Sequence, residues 1–230
     1  MCATSITRIT PGAQAGVTLR DLLQMLFFGL LIRPLLALFI GCRVRGRNWL
    51  PPSGPFVLIA NHASHLDTIC LLSLFQLTRL REIQPVAAAD YFESNRLIAW
   101  FSRTCFNILP IPRHNLSPRN NPVRRMLAQL QVGKSLIIFP EGTRGQGSDI
   151  APFRPGVVHL LELMPGLPIV PAYLVNSGRC LPKGECFPVP FFCEIHLGPP
   201  LIFRGDVNGD REEILELLRG AVCQLGDSSR

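Results

Sequence analysis

Short runs of apolar residues alternate with longer amphipathic segments along most of the chain, and turn-forming residues separate them. Apolar runs of strand length bounded by Gly, Pro, Asn or Ser are typical of strands, whereas apolar residues three and four apart are typical of helices. The pattern predicts strands at 42–47, 56–60, 83–89, 106–111, 135–139, 167–175 and 191–197, and helices at 66–77, 94–103, 118–132, 156–164 and 211–225. Because strands alternate with helices, we expect one α/β domain with a mixed, largely parallel sheet flanked by helices.

The most hydrophobic segment, Leu22–Ile40, precedes this pattern and is interrupted by Arg33 and Pro34. An arginine near the middle of a membrane span costs roughly 2.5–3.5 kcal/mol on insertion scales, and a proline inside a helix breaks or kinks it. We therefore expect two short helices that dip into one leaflet, in preference to one clean span or a buried helix of a soluble domain. The predicted organisation is a flexible N-terminus at 1–17, a membrane-associating helical segment at 18–41 and the main domain at 42–230.

The stretch Phe56–Asp67 is predicted to carry a buried strand through a tight turn into a helix. The apolar run ends at Asn61 and His62, and Ser64 is predicted to be the N-cap with Asp67 at the third helical position, the spacing of a capping box. His62 then lies at the carboxyl end of a strand, where open α/β sheets bind their ligands. The turn can bring the Asp67 carboxylate to one nitrogen of the His62 imidazole. The other ring nitrogen can then accept a proton from a substrate hydroxyl. The alternative is a capping aspartate beside an ordinary loop histidine.

A second buried strand, Ser135–Phe139, is predicted to end at Pro140 and to be followed by a turn that contains Glu141 and Arg144. An arginine at the carboxyl edge of a strand suits a phosphate group, because its planar guanidinium donates two parallel hydrogen bonds. Taken alone, this turn fits a solvated surface arginine better. Its occurrence together with the histidine motif favours the phosphate site.

The two stretches together resemble a known family. Asn61 to Asp67 matches the N-H-x-S-x-x-D motif, and Phe139 to Arg144 matches the F-P-E-G-T-R motif, of the glycerolipid acyltransferases typified by 1-acyl-sn-glycerol-3-phosphate acyltransferase. Further segments that resemble blocks of this family are Phe106 to Arg113, Phe153 to Gly156 and Ile169 to Ala172.

The resemblance implies a glycerol-phosphate acyltransferase-like fold and an O-acyltransferase that moves a fatty acyl group from acyl-CoA or acyl-carrier protein to 1-acyl-sn-glycerol 3-phosphate, giving phosphatidic acid. It implies that His62 is the general base, that Asp67 orients it, and that Asn61 and Ser64 are structural. The substrate-binding residues carried over from the matched blocks are Arg113, Glu141, Gly142, Thr143, Arg144 and Arg154. The resemblance implies no cofactor and no metal.

The sequence leaves the acceptor open, because Gly145 stands where serine is common and Pro110 and Pro112 change the block before Arg113. The same catalytic pair could acylate another lyso-lipid, such as a lyso-amino-acid lipid. From a different class, the chain could be a catalytically silent membrane-binding module on the same fold, and the intact His62–Asp67 pair argues against that interpretation.

Composition favours a lipid surface as the partner. The chain has 47% apolar residues and a net charge of +7, carried mostly by arginine, and its mean hydropathy is positive. A basic surface fits anionic lipid head groups, a phosphorylated lysophospholipid acceptor or an acidic acyl carrier, and no nucleic-acid-binding motif accompanies the charge. The expected location is therefore the cytoplasmic face of a membrane.

The eight cysteines contain no C-x-x-C pair. Cys180, Cys186 and Cys193, with His196 nearby, come closest to a cluster, but a zinc site normally shows tighter ligand pairs. We therefore expect reduced thiols and no metal.

Overall fold

The computed structural model describes residues 16–90, 95–113, 117, 120–145, 150–180, 192–203 and 211–227. The strands are β1 (Cys42–Arg45), β2 (Val57–Ala60), β3 (Ile83–Ala88), β4 (Leu109–Ile111), β5 (Ser135–Ile138), β6 (Ile169–Val175) and β7 (Cys193–Leu197). They form one sheet in the order β1-β7-β6-β2-β5-β3-β4. The strands β6, β2, β5, β3 and β4 are parallel, whereas β7 is antiparallel to β6 and parallel to β1. The predicted mixed, largely parallel sheet is therefore confirmed.

Helices cover both faces of this sheet. They are α1 (Leu19–Ile40), α2 (Leu66–Ser73), α3 (Arg96–Cys105), α4 (Pro122–Gln131), α5 (Gly156–Leu163), α6 (Ser177–Cys180) and α7 (Arg211–Asp227). Leu58 and Ala60 of β2 belong to the core on the α1 and α2 side, while Val57 and Ile59 belong to the core on the side of α4, α5 and α7. A strand buried on both faces reads as a continuous apolar run, which is why β2 shows no alternation.

The helix α1 is continuous from Leu19 to Ile40, so the predicted break at Pro34 is wrong. Its backbone stays helical because π-type turns lie on both sides of Arg33–Leu35 and accommodate the missing proline N–H. The buried residues of α1 recur every fourth position: Gln24, Phe28, Ile32, Leu36 and Ile40. An α-helical turn contains 3.6 residues and a π-helical turn contains more. Because the two alternate along α1, residues that are four apart stay on the same face of the helix.

The sequence suggested that Arg33 places a charge within the apolar surface of the helix, and the structure shows a different position for this charge. The Arg33 guanidinium donates to the backbone carbonyl of Phe75, just beyond the end of α2, so the charge lies against the protein. Within the described residues, α1 is the one helix whose length and composition would allow it to cross a membrane. Its outward face is apolar and exposed.

The strand β4 begins at Leu109, three residues later than the sequence predicts. The helix α3 ends at Cys105, and Asn107 has a positive φ of 53°, which is incompatible with a strand. The side chain of Asn107 donates to the carbonyls of Arg81 and Ile83, and these bonds hold the bend. Of the predicted flexible N-terminus at 1–17, residues 1–15 lie outside the described part of the chain.

Candidate active site

The turn after β2 is fixed to the neighbouring strand β6 by Asn61. Its side-chain N–H group donates to the carbonyl of Leu174 at 3.1 Å, and its side-chain oxygen accepts from the N–H of Leu174 at 2.8 Å. A buried amide that satisfies a backbone donor and a backbone acceptor ends the β2 ladder at a defined point. Asn61 therefore has a structural position, and His62 emerges at the carboxyl edge of the sheet.

His62 and Asp67 meet across this turn. The Nδ1 atom of His62 lies 2.8 Å from Oδ2 of Asp67. The same oxygen accepts from the backbone N–H groups of Ala63 and Ser64, each at 2.8 Å. Asp67 is fully buried, whereas the side chain of His62 remains 18% exposed. Because a carboxylate only accepts, Nδ1 carries the proton and Nε2 is left as the basic nitrogen of the ring.

The predicted capping box forms only in part. The N-cap is His65, one residue after the predicted Ser64, and the helix starts at Leu66. The Ser64 hydroxyl accepts from the N–H of Leu66 at 3.2 Å. The Asp67 carboxylate points back to the turn because it binds the backbone of Ala63 and Ser64 in addition to His62. Ser64 is buried and supports the turn, in the structural place that the sequence suggested.

Glu141, at the end of β5, holds the histidine motif from the other side. Its Oε1 accepts from the N–H of His62 at 2.8 Å, and its Oε2 accepts from the N–H of Ala151 at 3.0 Å. The N–H of Gly145 donates to the carbonyl of His62 at 2.8 Å. Glu141 is buried and does not line the cavity described below. Both oxygens of Glu141 bind backbone amides, so this side chain holds the backbone around the site.

Phe139 is a site residue that sequence reasoning missed. Its ring stacks on the imidazole of His62, with ring centroids 4.1 Å apart and an interplanar angle of 18°. An aromatic face on one side of the imidazole restricts the ring to one plane. The signal available in the sequence is the position of Phe139 at the start of the F-P-E-G-T-R motif, directly after a buried strand.

Two of the three arginines expected to bind phosphate, Arg113 and Arg154, approach Gly142. A guanidinium N–H of Arg113 donates to the carbonyl of Gly142 at 2.9 Å. The guanidinium of Arg154 crosses Gly142 so closely that a Cβ on this glycine would lie 2.4 Å from Nε of Arg154. Gly142 also has a φ of +73°, so it is required both for its backbone conformation and for the close approach of Arg154.

Arg144 lies on the same side of the turn, near His65. Partial burial lowers the pKa of His65, and the positive charge of Arg144 lowers it further. Thr143 and Arg144 both line the cavity, as do Arg113 and Arg154. Arg124 of α4 lines it as well, and the sequence had placed it only on a helix. The structure thus brings all the predicted arginines to the cavity that His62 faces.

This cavity has a volume of about 1300 Å³, larger than the roughly 300–1,000 Å³ of usual small-molecule pockets. Apart from the arginines, its walls are mainly apolar. The apolar lining residues include Val86, Ala88, Phe106, Ile108, Ile111, Met126, Ile138 and Val157. A mainly apolar cavity that also carries several arginines fits an amphiphile with a phosphate group.

Comparison with known proteins gives a consistent result. A family model described as "Acyltransferase" matches residues 41–175, more than half of the chain. The 1-acyl-sn-glycerol-3-phosphate acyltransferase alpha of Homo sapiens is 26% identical over 188 residues, covering 81% of this chain and 64% of that protein. The chloroplastic 1-acyl-sn-glycerol-3-phosphate acyltransferase BAT2 of Brassica napus is 29% identical over 143 residues, covering 62% of this chain and 39% of that protein. The chain therefore spans less than two thirds of the length of these curated relatives.

A solved structure shares the fold. The crystal structure of the 1-acyl-sn-glycerophosphate (LPA) acyltransferase PlsC from Thermotoga maritima matches with a TM-score of 0.68 and 21% identity, covering 90% of this chain and 79% of that chain. The likeness confirms the mixed sheet with flanking helices and an apolar N-terminal helix.

Proposed function

The chain belongs to the acyltransferase family, and from that premise we propose that it transfers a fatty acyl group from a thioester to the free hydroxyl of 1-acyl-sn-glycerol 3-phosphate, giving phosphatidic acid. The observation that carries this proposal is the 2.8 Å contact between Nδ1 of His62 and Oδ2 of Asp67, beside a large, mainly apolar cavity that several arginines also line.

His62 is the proposed general base. Nε2 takes the proton of the acceptor hydroxyl while its oxygen attacks the thioester carbonyl, and Asp67 stabilises the imidazolium that results. When the tetrahedral intermediate collapses, the carbon–sulfur bond breaks and His62 returns the proton to the leaving sulfur. The products are the new ester and a free thiol, and the reaction requires neither a cofactor nor a catalytic metal.

The acceptor phosphate is proposed to bind at the arginines of the cavity. Arg144 and Arg154 line it, and Arg113 is anchored beside them through Gly142. Guanidinium groups donate charge-assisted hydrogen bonds to phosphate oxygens, and several of them around one anion fix its orientation. Holding both substrates in one cavity next to His62 converts a bimolecular reaction into an effectively unimolecular one.

The proposed membrane association rests on the exposed apolar side of α1. The side of α1 that carries Phe28, Ile32 and Leu36 packs on the domain, and the opposite side exposes leucines along the whole helix. We propose that this exposed face docks on a lipid surface, from which the apolar cavity receives its substrates. Acyl-CoA and acyl-carrier protein are water-soluble cytoplasmic donors, so the cytoplasmic face is the proposed location.

The proposal is tested with the purified full chain on vesicles that contain 1-acyl-sn-glycerol 3-phosphate. Acyl-CoA and acyl-carrier protein are supplied separately, and thiol release and phosphatidic acid are measured together. We expect equal amounts of the two products with at least one donor. Thiol release only with another lyso-lipid would reject the proposed acceptor, and no acyl transfer to any acceptor would reject an enzymatic function.

A further inference from the structure

Three cysteines that are far apart in the sequence come together at the start of β1, on α2 and at the start of β7. They are Cys42, Cys70 and Cys193, and their Sγ atoms all lie within 4.8 Å of one another. The parallel register of β1 and β7 pairs Cys42 directly with Cys193. Cys70 projects from the second turn of α2, and none of the three lines the active-site cavity. We refer to them as the cysteine trio.

The surroundings of the cysteine trio are apolar. Cys70 and Cys193 have no exposed surface and belong to the core on the α1 and α2 side, while Cys42 packs against that core and is partly exposed. The thiols of Cys193 and Cys70 lie within hydrogen-bond reach of the Cys42 sulfur. Three thiols in mutual contact offer three soft ligands to one ion, whereas an isolated buried thiol is inert.

We propose that the cysteine trio binds a thiophilic d¹⁰ cation, Zn²⁺ or Cu⁺, through three thiolates. Soft sulfur ligands select these ions. Around an ion with sulfur ligands at about 2.3 Å, neighbouring sulfurs lie about 4 Å apart, so the trio needs only a small contraction to close on it. Three S–metal bonds form, and each thiol that is still protonated releases its proton to solvent. The partly exposed Cys42 gives the ion its point of entry.

The sequence predicted no metal site, because it grouped Cys193 with Cys180 and Cys186. Cys186 lies outside the described residues. The ligands of the trio come from three separate elements, so no spacing rule along the chain could identify them. The signal exists only in the fold.

Binding of the metal ion would connect α2, the helix that carries Asp67, to the edge of the sheet. Cys70 lies three residues after Asp67 on α2, and the ion would join this helix to β1 and β7. A ligand that binds only the folded state stabilises it, and at one hundred times its Kd the expected rise in Tm is about 5–10 °C for a chain of this size. This role does not depend on the proposed acyl transfer.

The test uses the reduced, chelator-treated full chain, titrated anaerobically with Zn²⁺ and separately with Cu⁺ against a competing chromophoric chelator. We expect one ion of at least one of the two kinds per chain, with the rise in Tm given above. The variants Cys42→Ser and Cys193→Ser should each weaken binding at least tenfold, whereas Cys105→Ser and Cys223→Ser should bind as the wild type does.

A trio-only variant, in which Cys2, Cys105, Cys180, Cys186 and Cys223 are replaced by serine, separates the trio from the other thiols. It should retain one ion per chain and the rise in Tm. Loss of binding in this variant, or undiminished binding in Cys42→Ser and Cys193→Ser, would overturn the proposal. The proposal would also be overturned if the isolated protein contained a disulfide within the trio and its reduced form bound neither ion.

Discussion

The backbone N–H of His62 donates to Oε1 of Glu141 at 2.8 Å, which joins residues 79 positions apart in the chain. The second carboxylate oxygen of Glu141 accepts from the N–H of Ala151. One buried side chain therefore holds both the turn that carries the histidine and the segment that leads to Arg154. Glu141 does not line the cavity, so we expect it to act by positioning residues that do.

Replacing Glu141 by glutamine tests this positioning role. Glutamine offers one acceptor oxygen where the carboxylate offers two, so one backbone N–H loses its partner and faces an NH₂ group. We expect the free energy of unfolding to fall by about 1–3 kcal/mol. We also expect kcat to fall, because the turn that carries His62 loses a fixed contact, while the donor KM changes little. The matched control Glu82→Gln removes a carboxylate that is 44% exposed and should leave both quantities unchanged. A kcat equal to that of the wild type in Glu141→Gln would contradict the positioning role.

The role of His62 can be separated from that of a second histidine in the same motif. His62→Gln removes the basic nitrogen, and kcat should fall by about 10²–10⁴-fold. His65 also lines the cavity, but the ring that contacts Asp67 through Nδ1 is that of His62, so His65→Gln should keep activity close to that of the wild type. Circular dichroism and vesicle binding serve as folding controls for both variants. Comparable losses in the two variants would contradict the assignment of His62 as the base.

Arg144 is expected to recognise the acceptor and not the donor. Arg144→Ala should raise the acceptor KM by about 10- to 100-fold, because a charge-assisted hydrogen bond to phosphate is lost. Arg45→Ala is the control: it removes the same charge from the end of β1, outside the cavity, where Arg45 pairs with Glu194. Initial rates are measured while each substrate is varied in turn. A defect that appears only when the donor is varied would contradict phosphate binding by Arg144.

Gly142 is constrained both by its backbone conformation and by the neighbouring Arg154 side chain. Comparison with Gly133 separates these two effects. Gly142 has a φ of +73° and Gly133 a φ of +84°, but only at Gly142 would a new Cβ meet the Arg154 side chain. Both alanine variants should lose about 1 kcal/mol of stability from the left-handed backbone. Only Gly142→Ala should also raise the acceptor KM, because Arg154 must move. Equal KM values in the two variants would show that the position of Arg154 is unimportant.

The sequence predicted the sheet, most element boundaries and the meeting of His62 with Asp67. These features depend on local signals: buried apolar runs, a short turn and a motif in which every residue is close in the chain. The contacts of Glu141 and the stacking of Phe139 depend on how β5 pairs with β2, and that register is set by the whole sheet. A motif alone could not show that the glutamate faces backbone amides.

The continuity of α1 was missed for a different reason. Local rules treat proline as a helix breaker, and they were overridden here by tertiary packing. The stripe from Phe28 to Ile40 buries apolar side chains along the whole helix, and Arg33 finds a carbonyl acceptor at Phe75. This stabilisation comes from residues that are distant in the sequence, so no window around Pro34 could reveal it.

Membrane docking should depend on the outward face of α1. Leu30 and Leu38 are 75% and 77% exposed, on a helix whose other face packs against the domain along its length. A helix held in this way can lie in the lipid surface, whereas spanning the bilayer would require it to separate from the core or draw the domain into the hydrocarbon. Each leucine is worth about 1.5–3 kcal/mol when buried, so the double variant Leu30→Glu/Leu38→Glu should bind anionic vesicles at least about 100-fold more weakly. Val132→Glu, at another exposed apolar residue (67%), should sediment with vesicles as the wild type does. If the double variant sediments equally well, α1 is not the docking surface, because two charges on that face could not enter the lipid without a large loss of affinity.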